Sequence, residues 1–250
     1  MLERIEKDDV LEIRFNRPPV NALSPEFVQA LLAAITQAPA DGARAIILSG
    51  QPGMFSAGLD VPALLGLDEA AMHEFWKHFF GLSGAIACSP VPVAAAITGH
   101  SPAGGAVLAM FCDYRVMAEG DFRIGLNEVQ VGLALPPVIH AALVRQVGAR
   151  EAERLAVPGL MIDPVEARRI GFIDAVAPVE GVVAHARAWC EQLVGLPRAA
   201  MQRTRDLARA DIVDLFDRLD ENDYRVMNQA WFGAETQATM RALVERLKKK

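Results

Sequence analysis

A dense basic face, a cysteine pair at ligand spacing and a long uninterrupted apolar run are all missing from this sequence. Acidic residues outnumber basic ones, 31 to 25, for a formal net charge of −6. A nucleic-acid binder neutralises many phosphates with clustered Lys and Arg, so that class is disfavoured. The only dense basic run, Lys248 to Lys250, reads as a solvated helix end. Cys88, Cys112 and Cys190 stand far apart, with no neighbour at metal-ligand or redox spacing. They are expected to be reduced and buried, as suits a cytosolic chain. His73, His78, His100, His140 and His185 fall at no metal spacing and beside no nucleophile motif, so they read as surface or packing residues and no metal is expected. The opening "MLERIEKDDVLEIRFNRP" mixes acidic residues into its apolar ones, unlike a secretory signal or a transit peptide, so the expected location is cytoplasmic. No stretch is apolar for long enough to cross a bilayer, and neither an internal repeat nor a low-complexity linker is visible.

What is present is apolar bulk in short, regular pieces. Hydrophobic residues make up 52% of 250, enough for one well-packed domain, alone or with a small helical appendage. "RIEKDDVLEIRFN" alternates around Asp8-Asp9 and predicts a hairpin. "LSPEFVQALLAAITQA" predicts a helix with Ser24 as N-cap and Pro25 at its first position. "ARAIILSG" and "VPVAAAIT" are nearly continuous apolar strands of the kind buried on both faces. Between them "DEAAMHEFWKHFFGLSGAIACS" is helical. A strand at "YRVMA", helices at "PPVIHAALVRQV", "AREAERLAV" and "DPVEARRIG", and a strand at "FIDAVAP" follow. Beyond about Gly181 the pattern is helical throughout. Alternating strands and helices with short links imply an α/β core with a largely parallel sheet, whose ligands sit at the carboxyl ends of the strands.

Two glycine-containing turns fall at such ends: "FSAGLD" and "SPAGGAV". "AGG" is either a close strand-to-helix packing point or a place where backbone amides meet a ligand. Amides from two loops converging on one oxygen would form an oxyanion hole. Glu128 stands in "FRIGLNEVQVGLALPP", a stretch with little charge. It either caps or salt-bridges a loop, or it is a carboxyl group made basic by apolar surroundings. Asp60 either caps the following helix or touches a ligand.

Taken in order, "RPPVNALS", "FSAGLD", "VPVAAAITGHSPAGGAVLAMFCDYRVMAE", "IGLNEVQVGL" and "DPVEARRIGFIDAVAP" resemble the crotonase superfamily, the enoyl-CoA hydratases and isomerases, over nearly the whole chain. The resemblance implies a crotonase-like spiral of β-β-α turns over residues 1–195 and a helical C-terminal region over 196–250 that supports a homotrimer or hexamer. It implies an acyl-CoA thioester substrate, with no further cofactor. Carried over by position, the oxyanion donors would be the amides of Leu59, which follows Ala57 and Gly58, and of Gly104. Ala22 and Leu23 would meet the CoA adenine through their backbone, and Ala57, Gly58, Asp60 and Asn127 would lie against the substrate. Hydratases of this family carry two glutamates; here the first position is Val107 and the second Glu128. Water addition needs two groups, whereas one carboxylate suffices to move an alpha proton to the gamma carbon. "SPAGG…CDYR" and "GLNE" accordingly resemble the monofunctional Δ3-Δ2-enoyl-CoA isomerases of fatty acid beta-oxidation, with Glu128 as the proton shuttle. The alternatives are a hydratase or other acyl-CoA activity on the same fold, and a non-catalytic CoA-binding or scaffold trimer. The acidic balance counts against an RNA-associated member. The large apolar residues of "VPALLGLDEAAMHEFWKHFF" are either the walls of an acyl-tail pocket or core and subunit contacts.

Overall fold

The computed structural model describes residues 1–248; Lys249 and Lys250, and with them most of the basic run, lie outside the described residues. The hairpin forms from β1 (Leu2–Lys7) and β2 (Val10–Phe15), paired antiparallel with Lys7 opposite Val10. Ser24 caps α1 (Pro25–Gln37) by accepting from the Phe27 amide at 3.3 Å. From there the chain winds. β3 (Ala45–Ser49), β4 (Gly53–Met54) and the helices α2 (Val61–Leu64) and α3 (Glu69–Ala87) form one turn. β5 (Val93–Ile97), β6 (Gly99–Pro102) and α4 (Gly104–Phe111) form the next. β7 (Tyr114–Ala118), β8 (Ile124–Gly125), a 3₁₀ turn at Glu128–Val131, and α5 (Pro137–Val147), α6 (Ala149–Ala156) and α7 (Pro164–Arg169) form a third, before β9 (Ala175–Ala177). Each turn gives its first strand to one sheet and its second to another. The large sheet runs β1-β2-β3-β5-β7-β9, parallel after the hairpin, and the small sheet runs β4-β6-β8, parallel throughout.

The residues explain the layering. Along β3 and β5, Ala45, Ile47, Ala94 and Ala96 face α8 (Val182–Val194), while Ile46, Leu48, Val93, Ala95 and Ile97 enter the larger core. A strand buried on both faces needs no polar alternation, hence the unbroken apolar runs. The small sheet is the part that periodicity misses, since its strands are two to four residues long. Close backbone contact fixes it: a Cβ on Gly99 would lie 1.9 Å from the carbonyl carbon of Gly53, so the two strands cross where no side chain fits.

Three helices follow α8: α9 (Arg198–Asp217), α10 (Glu221–Trp231) and α11 (Ala234–Leu247). A buried ionic cluster anchors α9. Asp113, just past α4, accepts from the Val93 amide at 2.8 Å and from Arg205 at 2.7 and 3.0 Å, and pairs with Arg209 at 3.2 Å. Arg209 also donates to the carbonyls of Ala87 and Phe111. In α10, Trp231 packs edge-on against Trp76 of α3, 6.1 Å between centroids. Phe75, Trp76, Phe79 and Phe80 are all buried here, which resolves that segment as core. Cys112 and Cys190 are buried as expected, but Cys88 is exposed, because it is the C-cap residue of α3 and stands at the helix end; all three are free.

Removing one member of a buried ion cluster leaves the others uncompensated, which typically costs about 3–5 kcal/mol. Asp113→Ala is therefore expected to lower folding stability by about 3 kcal/mol. Urea denaturation monitored by tryptophan fluorescence measures it.

Candidate active site

The two glycine turns meet. A Cβ on Gly58 would lie 3.0 Å from the Gly104 nitrogen, and a Cβ on Gly104 would lie 3.6 Å from the Leu59 nitrogen and 2.8 Å from Leu23 Cδ1. Only glycine lets these backbones approach so closely. The two peptides are also locked in direction. The Gly58 carbonyl accepts from the Leu23 amide at 2.8 Å, and the Ala103 carbonyl accepts from the Val107 amide at 3.0 Å. Both peptides are trans, so the N–H of Leu59 and that of Gly104 point opposite to these tethered carbonyls. Among the described residues neither amide donates to a protein acceptor. The Gly104 amide is free for a second reason, since the first N–H groups of a helix have no partner within it. Ala103 holds φ 46°, a left-handed conformation that non-glycine residues rarely adopt; it is kept there by the hydrogen bond its N–H donates to the Gly125 carbonyl at 2.8 Å.

A brace behind the first turn holds Leu59 in place. Buried Asn21, at φ 51°, accepts from the Arg17 amide at 2.9 Å and donates to the Phe55 carbonyl at 3.1 Å. The Ser56 hydroxyl donates to the Asn21 carbonyl at 2.8 Å and accepts from the Gly58 amide at 3.2 Å. This is what the "VNAL" segment does structurally: it runs beside the "SAGL" turn like a short strand, with Leu23 bridged to Leu59.

Both amide-bearing turns border a cavity of about 560 Å³. Of the residues expected in the site, Ala22, Ala57, Leu59, Asp60, Asn127 and Glu128 line it. Leu23, Gly58 and Gly104 are fully packed just behind the wall. Asp60 caps α2 by accepting from Ala63 at 3.2 Å, and it also pairs with Arg17 at 2.6 Å on the cavity wall. Of the apolar segment starting at Val61, only Val61 and Pro62 reach the cavity. The remaining walls are ones that sequence reasoning missed. Arg17 to Val20 supply one side, and Met240, Leu243 and Leu247 of α11 another. The helical spacing of those three was visible, but not what they would face.

Glu128 opens the 3₁₀ turn beside Val131 and Leu133, and among the described residues it forms no ion pair. Its Oε2 is buried with no hydrogen-bond partner, as is Oδ1 of Asn127. Burial raises its carboxyl group from 4.5 to about 7, with no neighbouring charge contributing. Val107 is 1% exposed in the core cluster and carries no polar atom to the cavity. The arrangement offers one poised carboxyl group, two free amides and apolar walls.

Because the folded state holds the Glu128 proton more tightly than the unfolded chain does, stability falls as pH rises from 4.5 to about 7. Glu128→Gln removes that titration. The variant is expected to be more stable than the wild type at pH 8, by up to about 3 kcal/mol, with the difference shrinking as pH falls to 4.5. Paired urea titrations at the two pH values measure it.

Residues 6–250 match the enoyl-CoA hydratase/isomerase family. Mitochondrial enoyl-CoA delta isomerase 1 of Rattus norvegicus is 32% identical, covering 100% of this chain and 88% of that protein. A putative enoyl-CoA hydratase of Thermus thermophilus is 33% identical over 83% of each chain. The crystal structure of human mitochondrial delta3-delta2-enoyl-CoA isomerase superposes with a TM-score of 0.94 at 32% identity, covering 99% of this chain and 98% of that one. The winding of β-β-α turns is thus the crotonase fold, and the chain belongs to the enoyl-CoA hydratase/isomerase family.

Proposed function

We propose that the protein is an isomerase that moves the double bond of 3-enoyl-CoA thioesters to the 2 position. The observation that carries this reading is the single free carboxyl group in a cavity bordered by two unpartnered amides. The cavity's other acid, Asp60, is engaged by Arg17 and Ala63. With the thioester oxygen between the Leu59 and Gly104 amides, Glu128 as carboxylate takes the proton from the alpha carbon. The electron pair spreads through the alkene onto the thioester oxygen, giving a dienolate that the two amides stabilise. Glu128, now the acid, returns the proton to the gamma carbon, and the double bond re-forms between the alpha and beta carbons. No atom is gained or lost. A group titrating near neutrality suits both halves of such a shuttle, and the walls of Val131 and Leu133 keep water from the intermediate. Similarity to the delta isomerases over the full chain supports the same reading.

Hydration is the second reading, favoured by the hydratase relatives. Val107 opposes it, because water addition calls for a second acid-base group and that position is apolar. For assembly we propose a trimer or a pair of trimers, for which the exposed Leu207 of α9 and Val226 of α10, 66% and 49% accessible, provide uncovered apolar surface.

Glu128→Gln keeps the size and polarity of the site and removes the base, so isomerisation is expected to fall by at least about 10²–10⁴-fold while CoA-ester binding survives. The wild type is expected to isomerise a 3-enoyl-CoA far faster than it hydrates a 2-enoyl-CoA. Both rates are read spectrophotometrically; faster hydration, or isomerisation unaffected by the substitution, overturns the assignment. Light scattering tests assembly, and a stable monomer refutes the trimer.

A further inference from the structure

One peptide group connects α11 to the base. The carbonyl of Gly132 accepts a hydrogen bond from the Thr236 hydroxyl at 2.7 Å. The N–H of the same peptide, that of Leu133, donates to the carbonyl of Glu128 at 3.1 Å. Thr236 is 4% exposed, and its contact with Gly132 is tight: a Cβ on that glycine, at φ 82°, would lie 3.0 Å from Thr236 Cα. Thr236 stands in the first turn of α11, and Met240, Leu243 and Leu247 recur behind it at helical spacing on the same face. Those three line the cavity. A single face of one helix therefore walls the cavity and bonds the turn that carries Glu128.

We propose that Thr236 is a positioning residue for Glu128, holding the 3₁₀ turn through the Gly132–Leu133 peptide so that the carboxyl group stays aimed into the cavity and shielded from water. The proposal rests on the reading of Glu128 as the base. Hydrogen bonds in series through one peptide reinforce each other, and a displacement of about 1 Å at a catalytic group costs up to about 100-fold in rate. Apart from Thr236, the turn is tied by Gln130, whose side chain donates to the carbonyls of Pro158 and Gly159 at 3.2 and 2.9 Å, so Thr236 is its tie on the α11 side. The turn's residues include none that is fully buried, and Glu128 Oε2 has no hydrogen-bond partner to fix it. The other charged groups facing Glu128 across the cavity are Arg17 and Asp60, paired with each other, and α11 presents only apolar side chains there. Burial is what raises the Glu128 carboxyl, so loosening the turn enough to admit water would lower it.

The test compares Thr236→Val, which keeps the volume and loses the hydroxyl, with Thr236→Ser, which does the reverse. Three quantities are measured: kcat and KM on a 3-enoyl-CoA, and the titration of the Glu128 carboxyl by carbon-13 NMR, assigned with Glu128→Gln. Thr236→Val is expected to lower kcat by about 10-fold or more with KM within about 2-fold, and to move the Glu128 titration about one pH unit toward the ordinary glutamate range. Thr236→Ser is expected to retain most of the rate and the wild-type titration. A packing role gives the opposite order, with the valine variant intact and the serine variant impaired, and overturns the proposal. So does an unshifted titration in Thr236→Val. Where the valine variant does not fold, Thr236→Ala is compared with Thr236→Ser: both lose the methyl and only alanine loses the hydroxyl, so equal rates and titrations in the two overturn the proposal. A wild type that does not isomerise 3-enoyl-CoA refutes the proposed reaction, while the titration still decides whether Thr236 sets the environment of Glu128.

Discussion

The approach of two backbones at Gly58 and Gly104 is the constraint on which the rest of the site depends. With no Cβ between them, the two turns bring the unpartnered Leu59 and Gly104 amides close together. Their directions come from carbonyls tied elsewhere, to Leu23 and to Val107. Such donors need no reorganisation when charge develops, which is why fixed amides in a dry site stabilise an anion better than water does. The strained Ala103 and the Asn21–Ser56 brace are understandable as parts of that fixation.

The chemistry of the cavity follows from how little charge it contains. Arg17 and Asp60 neutralise one another, leaving Glu128 as the one ionisable group without a partner. Its raised basicity needs no special neighbour, since burial alone disfavours the carboxylate. At Val107, a second acid would add a like charge on α4, whose first amide has no protein partner. An apolar side chain there adds no charge to that helix.

Much of this was legible in the sequence, and the exceptions have physical causes. Long strands with both faces buried announce themselves as unbroken apolar runs, and Ser24 and Asp163 mark their helices by capping them. β4, β6 and β8 are too short for any period to register, and their contacts are backbone to backbone at Gly53 and Gly99. Glu128 stood out as a charge in an apolar stretch, but its lack of an ion pair is a property of three-dimensional neighbours. Leu59 and Gly104 were singled out for backbone atoms that every residue possesses, so the two glycine turns marked the place and the family resemblance the individual amides. The aromatic run from Phe75 to Phe80 was ambiguous because core and ligand pocket demand the same side chains, and Trp231, remote in sequence, decided for core. For the same reason the apolar face of α11 gave no hint of the cavity it completes.

The cavity draws its walls from Arg17 through Leu247, nearly the full length of the chain. During synthesis, the turns that carry Leu59, Gly104 and Glu128 leave the ribosome well before α11. At roughly 5–20 residues per second, the stretch between Glu128 and Met240 takes on the order of ten seconds to make. Throughout that interval the hollow lacks one apolar wall and lies open to water and to other nascent chains. The cavity is therefore closed only once α11 has been made and packed against the earlier turns.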